Sequence, residues 1–218
     1  MRKLILKMSI SADGFVAGPN GEIDWIFRSM DENITTWITD TLWQAGVHIM
    51  GSRTFHDMAS YWPTSDQPFA APMNEIPKVV FTRKGFIEPT NENLTTTALK
   101  DARINSEGLF NVSDTLSLHA HTWTKAKVAT GELVDEILLL KQQEGKIILA
   151  HGGADFAQSL ILSGLVDEFR LLVHPVILGR GLPLFATVTA PFDLKLESSI
   201  AFKTGVLANT YIPVSRNK

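Results

Sequence analysis

The chain has 218 residues and a formal net charge of −3, and 44% of the residues are hydrophobic, which suits one well-packed domain over residues 1–218. It contains no cysteine, which excludes disulfides, thiolate nucleophiles and cysteine-ligated metals, and its basic residues are too scattered to indicate a nucleic-acid or membrane partner. No apolar run approaches the roughly 20 residues of a bilayer span, and Asp13 comes too early for a signal peptide, so we expect a cytoplasmic protein that binds a small molecule.

The N-terminal segment predicts a strand, a loop and a helix. Residues 2–10 alternate apolar and polar side chains, as a half-buried strand does, and they lead into a glycine-rich loop with a turn signal at Asn20-Gly21. Apolar side chains at helical spacing then predict a helix from Asp31 to Ala45, with Gly46 as its stop.

Two buried strands enclose a short helix in the next segment. The runs VHIMG (47–51) and KVVFTR (78–83) are apolar and short enough to be central strands. Between them, Ser52 or Thr54 can cap a helix, and Pro63 bounds its far end. Strands and helices therefore alternate, as they do around a parallel sheet.

The alternation resumes after an irregular segment. Polar residues from about 85 to 121 follow neither the helical nor the strand period, which predicts a loop or an insertion. A helix at 132–143, a buried strand at 146–150 and a second helix at 154–163, stopped by Gly164, follow it.

The last third contains β-rich runs without a long helix between them. They cover 169–178, 194–202 and 205–214, and they suggest antiparallel strands at one edge of the sheet. The sequence therefore predicts a single-domain, three-layer α/β fold. Its central sheet is mixed and mostly parallel, with antiparallel C-terminal edge strands and flanking helices.

A strand that ends in two glycines and opens into a helix is a candidate phosphate site. In KIILAHGGADF, Gly152 and Gly153 let the backbone approach a ligand closely, and the helix that follows presents unpaired N–H groups and the positive end of its dipole. The glycines are equally consistent with a tight strand-to-helix turn. They do not form a G-x-G-x-x-G pattern, so an ordinary Rossmann site is not supported.

The motif IMGSRTF repeats this arrangement of strand, glycine and helix. Arg53 and Thr54 lie where a phosphate would contact a charge and a hydroxyl, and another strand ends in Thr82-Arg83. Two phosphate sites suggest a dinucleotide. Because a guanidinium suits a phosphate monoester, the arginines favour the 2′-phosphate of NADPH, although each alone is more often a solvated surface residue.

The loop after the first strand carries carboxylates. Asp13 closes the strand, and Asp24-Trp25 ends the loop. A carboxylate beside an apolar site can orient a heterocycle or supply a proton, with its pKa raised by desolvation. Asp13-Gly14 is also a favourable turn dipeptide, and Trp25 is also consistent with a core position.

Histidines give no metal-binding pattern. They lack ligand spacing and a cysteine to join them, so we predict no metal and expect satisfied or exposed side chains at His48, His56, His119, His121, His151 and His174. No G-x-S-x-G elbow or P-loop is present.

In their order, these segments resemble the dihydrofolate-reductase-like superfamily, and most closely its branch related to the C-terminal domain of the riboflavin-biosynthesis reductase (RibD). They cover about two thirds of the chain: SISADGFVAG (9–18), IMGSRTF (49–55), KVVFTR (78–83), TWTKAKV (122–128), KIILAHGGADFAQSLI (146–161) and GLVDEFRLLVHPVILGRGLPLF (164–185). The last two together are the most specific.

The resemblance implies that NADPH lies across the strand ends and that the substrate lies under the first loop. It assigns to the cofactor Ala12, Ala17, Gly18, Gly51, Ser52, Arg53, Thr54, Thr82, Arg83, Gly152, Gly153, Ala154, Asp155 and Phe156. It assigns to the substrate Asp13, Asp24, Trp25 and Phe55, with Asp13 as the candidate catalytic residue.

The chain departs from the family pattern in the polar segment 85–121 and at His151, which replaces a small residue and could crowd or contact the cofactor.

The leading hypothesis is an NADPH-dependent reductase of a pterin-like or ribosylaminopyrimidine-like substrate. The alternatives are a non-catalytic NADPH-binding sensor or partner module, and a fold whose glycine turns are only structural. The resemblance also implies a homodimer, with the edge strands in 194–214 as a possible contact.

Overall fold

A computed structural model describes residues 1–82 and 121–214 and shows an eight-stranded mixed sheet. Its strand order is β5-β4-β3-β6-β1-β7-β10-β9, and a separate two-stranded sheet pairs β2 with β8. The strands are β1 Leu4–Ser11, β2 Phe15–Ala17, β3 Ala45–Gly51, β4 Lys78–Phe81, β5 Lys127–Ala129, β6 Ile147–Ala150, β7 Glu168–His174, β8 Leu182–Pro183, β9 Leu194–Ala201 and β10 Leu207–Pro213.

Helices cover both faces of the large sheet. The described helices are α1 Asp24–Phe27, α2 Glu32–Trp43, α3 Ser52–Ala59, α4 Ala70–Glu75, α5 His121–Thr124, α6 Leu133–Gln142 and α7 Ala154–Ser163, with a 3₁₀ turn at Trp62–Thr64. Apolar side chains of α6 and α7 pack on one face of the sheet. Those of α2, α3, α4 and α5 pack on the other, which we call the α2/α3 face.

Six neighbouring strands, from β5 to β7, are parallel. Their apolar runs are buried on both faces because helices cover both, and this burial explains the near-continuous hydrophobic sequence of β4 and β6. Parallel strands end at the same edge, so the junctions after β1, β3, β6 and β7 lie together. This edge is where ligands bind in open α/β sheets.

The C-terminal edge has the antiparallel pairing that the sequence predicts. β10 runs antiparallel to both β7 and β9. The small sheet, which the sequence did not predict, pairs Phe15 with Pro183 and Ala17 with Leu182. A Cβ added to Gly181 would lie 2.2 Å from the Ala17 carbonyl oxygen, so this close approach requires glycine.

Two local predictions at helix ends are wrong and one is confirmed. α2 ends at Trp43 and β3 already begins at Ala45, so Gly46 lies inside a strand, where a Cβ would crowd Arg2 and Lys146. Gly51, rather than Ser52 or Thr54, is the N-cap of α3, and the cap makes no side-chain hydrogen bond. Gly164 ends α7 in the left-handed conformation with φ +68°, as the sequence predicts.

The predicted insertion at 85–121 lies almost entirely outside the described residues, as does Arg83. Within residues 1–82 and 121–214, no helix is both long and apolar enough to cross a membrane.

Candidate cofactor and substrate site

Two strand-to-helix junctions contact each other at the carboxyl edge of the sheet. β3 and β6 are parallel neighbours. β3 ends in Gly51 at the N-terminus of α3, and Gly153 lies between β6 and the N-terminus of α7. A Cβ added to Gly153 would lie 2.9 Å from Thr54 Oγ1, and one added to Gly51 would lie 3.2 Å from Phe156 Cβ. The two junctions predicted as phosphate sites are therefore one continuous surface.

Both helices begin without a side-chain cap. Gly153 at the start of α7 has φ +80°, a conformation that an L side chain rarely adopts, and neither it nor Gly51 can offer a capping oxygen. The first N–H groups of α3 and α7 thus have no intrahelical acceptor, and within residues 1–82 and 121–214 none of those of Ser52, Arg53, Thr54, Ala154, Asp155 and Phe156 makes another hydrogen bond. Such groups can bind a phosphate. The glycines also leave the close backbone approach that a dinucleotide needs.

The charged residues at these helix starts differ in sign. Arg53 is exposed in the first turn of α3, where its guanidinium can reach a phosphate. Asp155 is exposed in the first turn of α7, and its carboxylate would compete with a phosphate for the positive end of the helix. We therefore expect Asp155 to contribute its backbone and not its side chain.

The remaining cofactor candidates lie on both sides of these junctions. Ser52 and Ala154 are half-buried at the helix starts, and Thr82 is half-buried after β4, where its N–H donates to the Ala129 carbonyl at 3.4 Å. Phe156 is buried and its ring packs against Phe81, 5.2 Å between centroids. The Phe156 side chain therefore packs α7 against β4.

The first loop is fastened to the segment that follows β7. Asp13 accepts hydrogen bonds from the Ser11 hydroxyl at 2.6 Å and from the N–H groups of Gly179 at 2.8 Å and Leu178 at 3.2 Å. These bonds, with that from Ser11 the largest cause, hold the pKa of the Asp13 carboxyl below its usual value. The expectation that desolvation raises this pKa is wrong, because the carboxylate is exposed and hydrogen-bonded, and such a group is a poor proton donor.

Other contacts fix the rest of this loop. Ala12 is exposed and its N–H donates to the Val176 carbonyl at 2.8 Å. Ala17 is buried, and the N–H of the buried Gly18 donates to Glu22 at 2.9 Å. The loop residues predicted to contact the nicotinamide are thus held together at the end of β1.

The predicted substrate residues are placed unequally. Asp24 forms an ion pair with Arg28 at 2.5 Å, and Trp25 is buried with its indole donating to the Glu22 carbonyl at 3.1 Å. Trp25 also packs edge-on against His174, 5.4 Å between centroids. Phe55 has no exposed surface and packs against Trp123 in the core, and its contact with a substrate stays a prediction.

The sequence also missed a buried pair of histidines on the α2/α3 face of the sheet. His48 on β3 and His151 after β6 are both buried, and His151 Nε2 lies 2.7 Å from His48 Nδ1. Burial lowers the pKa of His48 to about 3, with a smaller contribution from Lys78, and burial also lowers the pKa of His151 well below its usual value. Both rings are therefore neutral at pH 7.

Two further basic groups extend this pair across the sheet. Lys7 on β1 is half-buried, and burial lowers its pKa to about 8. His174 on β7 is fully buried, and its Nδ1 lies 2.7 Å from the Ser29 hydroxyl. Its Nε2 has no hydrogen-bond partner in the described part of the chain. Burial and the charge of Lys7 lower its pKa to about 4. The signal available in the sequence was that each of these residues lies in or next to a predicted buried strand.

Among the described residues, no group of three or more histidine or acidic side chains is arranged to hold a metal ion. The side chains of His119 and His121 lie outside the described part of the chain. The edge thus brings together two glycine-bearing strand-to-helix junctions, a hydrogen-bonded first loop and buried basic side chains.

Comparisons with known proteins agree with this geometry. The family model of the RibD C-terminal domain matches residues 2–208. The chain is 30% identical to the Bacillus subtilis (strain 168) protein YyaP, over 96% of this chain and 94% of that protein. YyaP is itself uncharacterized.

Solved structures share the fold at lower identity. A candidate riboflavin biosynthesis protein from Shewanella sp. PV-4 superposes with a TM-score of 0.68 at 20% identity, covering 99% of this chain and 100% of that one. Dihydrofolate reductase from Enterococcus faecalis, complexed with NADP(H), superposes with a TM-score of 0.51 at 9% identity, covering 98% and 97%. At these identities the likeness concerns the fold.

Proposed function

The chain belongs to the RibD C-terminal domain family, and on this basis we propose that it is an NADPH-dependent reductase of a small pterin-like or ribosylaminopyrimidine-like substrate. NADPH, when bound, would supply a hydride. The protein's contribution is to bind and orient the two reactants and to exclude water.

The observation that carries this proposal is the contact between the two glycine-capped helix N-termini. Two helices side by side whose N-cap glycines offer no side-chain oxygen provide two sets of N–H groups for a ligand, which suits a dinucleotide with its linked phosphates better than a single phosphate. Gly152 and Gly153 would accept the pyrophosphate, and a Cβ at Gly153 would meet Thr54. The residues present thus fit the cofactor.

Arg53 supports the choice of NADPH over NADH. Its guanidinium is exposed at the start of α3, within the junction, and a planar guanidinium can bind a phosphate monoester through two N–H groups. The same side chain would have no anionic partner at the 2′-hydroxyl of NADH.

The fastened first loop would cover the reacting end of the cofactor. Its backbone is held at Asp13 by Leu178 and Gly179, and at Ala17 by the small sheet with β8. A loop so held would limit water at the strand ends, where hydride transfer needs a dry and fixed geometry.

The test is the oxidation of NADPH, followed by its absorbance, with dihydrofolate and a ribosylaminopyrimidine as acceptors. Turnover with either acceptor supports the reductase. Binding of NADPH without oxidation by either would favour the non-catalytic sensor instead. The variant Arg53→Ala should lose roughly tenfold in affinity for NADPH, the worth of one charge-assisted contact, and little for NADH.

We also propose that the protein is a homodimer. β9 is the outer strand of the sheet, and Leu196 and Ile200 on it are 51% and 44% exposed. An exposed strand edge with apolar side chains is a surface that another strand can cover.

A further inference from the structure

The α2/α3 face of the sheet has an opening over a central strand. β1 lies between β6 and β7, and side chains alternate along a strand, so Lys7 and Ser9 lie on the same face as Ile5. Ile5 is buried, whereas Lys7 and Ser9 are half-buried. Because helices cover both faces of this sheet, a half-exposed lysine in its middle indicates a cleft. We call this opening the β1 cleft, and Lys7 lies at its floor.

Lys7 has no acidic partner in the β1 cleft. Among residues 1–82 and 121–214, its ammonium makes no hydrogen bond or ion pair. The register of β1 with β7 pairs Lys7 with Arg170, which is also a cation. Glu168, the acid on the same face of β7, forms ion pairs with Arg170 at 2.7 Å and Lys3 at 3.9 Å. On the other side, His151 after β6 is neutral at pH 7.

The missing partner makes Lys7 an amine at a pH where most lysines are ammonium ions. Burial lowers its pKa from 10.5 to about 8. About one Lys7 side chain in ten is therefore unprotonated at pH 7, against roughly one in 3,000 for an ordinary lysine. His174, whose pKa burial lowers to about 4, is neutral at this pH and adds no charge. The unprotonated amine has the lone pair that attacks a carbonyl carbon.

Two other buried lysines lack this combination of a free lone pair and access. Burial lowers the pKa of Lys78 to about 7, but this side chain is closed in. Its amine donates to a backbone carbonyl at 2.6 Å and lies 4.4 Å from the centre of the Trp123 ring. Lys141 is paired with Asp167 at 2.6 Å. Titration alone would rank Lys78 as the more reactive amine, whereas the geometry favours Lys7.

We propose that the β1 cleft captures small aldehydes through a reversible imine between the Lys7 side chain and the aldehyde carbon. The inference goes beyond the proposed reductase and does not depend on NADPH. The amine lone pair forms a C–N bond, and the π electrons of the carbonyl move to its oxygen. A proton then passes from nitrogen to that oxygen, and the carbinolamine loses water. One amine and one aldehyde thus give one imine and one water, with no oxidant or reductant.

The position of Lys7 favours aldehydes among carbonyl compounds. At the floor of a cleft between neighbouring strands, the single substituent of an aldehyde needs less room than the two substituents of a ketone. Water hydrolyses imines, and a half-buried site limits the water that reaches the nitrogen. The ligand class is therefore a small aldehyde.

The first measurement is labelling of the full-length protein with benzaldehyde at pH 7. After equilibration, borohydride reduces any imine to a stable secondary amine, and peptide mass spectrometry locates the label. Lys7 should carry at least roughly tenfold more label than the exposed Lys203, because its unprotonated fraction is so much larger, and Lys78 should carry none. The exposed amine of Met1 reports that the reagent is active. Label on Lys7 no greater than on Lys203, or label on Lys78 instead, would overturn the inference.

The second measurement follows the same labelling from pH 6 to pH 10. Because only the unprotonated amine reacts, the label on Lys7 should rise with pH and level off above about pH 8, the lowered pKa. A label that keeps rising up to pH 10 would show an ordinary lysine and contradict the inference. In urea, where the cleft is lost, the label on Lys7 should fall to that on Lys203.

Matched variants at Ser9 separate charge from packing. Ser9→Asp places a carboxylate two residues from Lys7 on the same face of β1, which should raise the pKa of Lys7 by at least about one unit and reduce its label at pH 7 roughly tenfold or more. Ser9→Asn has a similar size and no charge, so it should retain most of the label. Equal loss in both variants, or no loss in Ser9→Asp, would contradict the inference.

NADPH binding, followed separately by thermal stabilisation, keeps this inference distinct from the proposed function. If the wild type binds NADPH but Lys7 is not selectively labelled, the aldehyde site is wrong and the reductase proposal stands. If Lys7 is selectively labelled but NADPH does not bind, the reductase proposal fails and the aldehyde site stands.

Discussion

Acid should destabilise this protein through His48. Burial lowers the pKa of this imidazole from 6.5 to about 3, so the folded state stays neutral at a pH where the unfolded chain takes up a proton. A base whose pKa is lower in the folded state loses stability as the pH falls below its unfolded value. The stability is fully present above about pH 7.

The magnitude follows from the gap between pH 5 and the unfolded pKa. This gap is 1.5 units, each worth about 1.4 kcal/mol, so His48 alone should cost about 2 kcal/mol of unfolding free energy between pH 7 and pH 5. His151 and His174, whose pKa values burial also lowers, act in the same direction. Carboxylates contribute too, so the comparison must isolate His48.

Urea unfolding of wild type and His48→Gln at pH 7 and pH 5 provides that isolation. The glutamine amide can still donate to Pro72 and does not titrate, so the variant should lose about 2 kcal/mol less than wild type over this interval. Equal losses in wild type and His48→Gln would refute the argument from burial.

Three further predictions concern the loops and the sheet edge. Gly153→Ala should destabilise the fold by about 1–2 kcal/mol and weaken NADPH binding, because φ is +80° and the new Cβ would meet Thr54. Gly164→Ala is the control, since its φ is +68° but its Cβ would lie in open space. It should lower stability in thermal unfolding and leave NADPH affinity unchanged. Asp13→Ala should accelerate hydrogen exchange at the amides of Leu178 and Gly179, because it removes the acceptor of both hydrogen bonds. In wild type the same acceleration should appear only as the pH falls through the lowered pKa of Asp13. Unchanged exchange in the variant would show that Asp13 does not hold the loop in place. Leu196→Lys combined with Ile200→Lys should halve the molecular mass measured by light scattering, whereas Leu139→Lys on α6, also an exposed leucine, should not. A monomeric mass for the wild type at micromolar concentration would contradict the dimer proposal.

Local signals in the sequence predicted most of the fold. The order of strands and helices follows from apolar periodicity, and Gly164 marks the end of α7 because a left-handed C-cap favours glycine. The start of α3 was misassigned because a serine and a threonine beside a glycine look like caps, although the backbone turns at Gly51. Gly46 was predicted to end α2 because glycine is common at helix ends. In the structure it lies inside a strand, where its missing side chain allows close packing.

The site was predicted less well because its decisive contacts are distant in the sequence. Asp13 resembles an available acid, but its oxygens are bonded to amides 165 and 166 residues away. The histidine pair joins residues 103 apart, which only the pairing of β3 with β6 brings together. Phe55 belongs to a motif at the ligand edge, yet its side chain points into the core, and a motif does not reveal that direction.

The most direct test of the central claim is a titration with NADPH and NADH followed by thermal unfolding. If the joined glycine junctions form the cofactor site, NADPH at 100 times its dissociation constant should raise the unfolding free energy by about 2.7 kcal/mol, and NADH should do so only at higher concentration. Gly153→Ala should show a smaller response. If neither dinucleotide stabilises the wild type, the junctions are structural turns and the reductase proposal is contradicted.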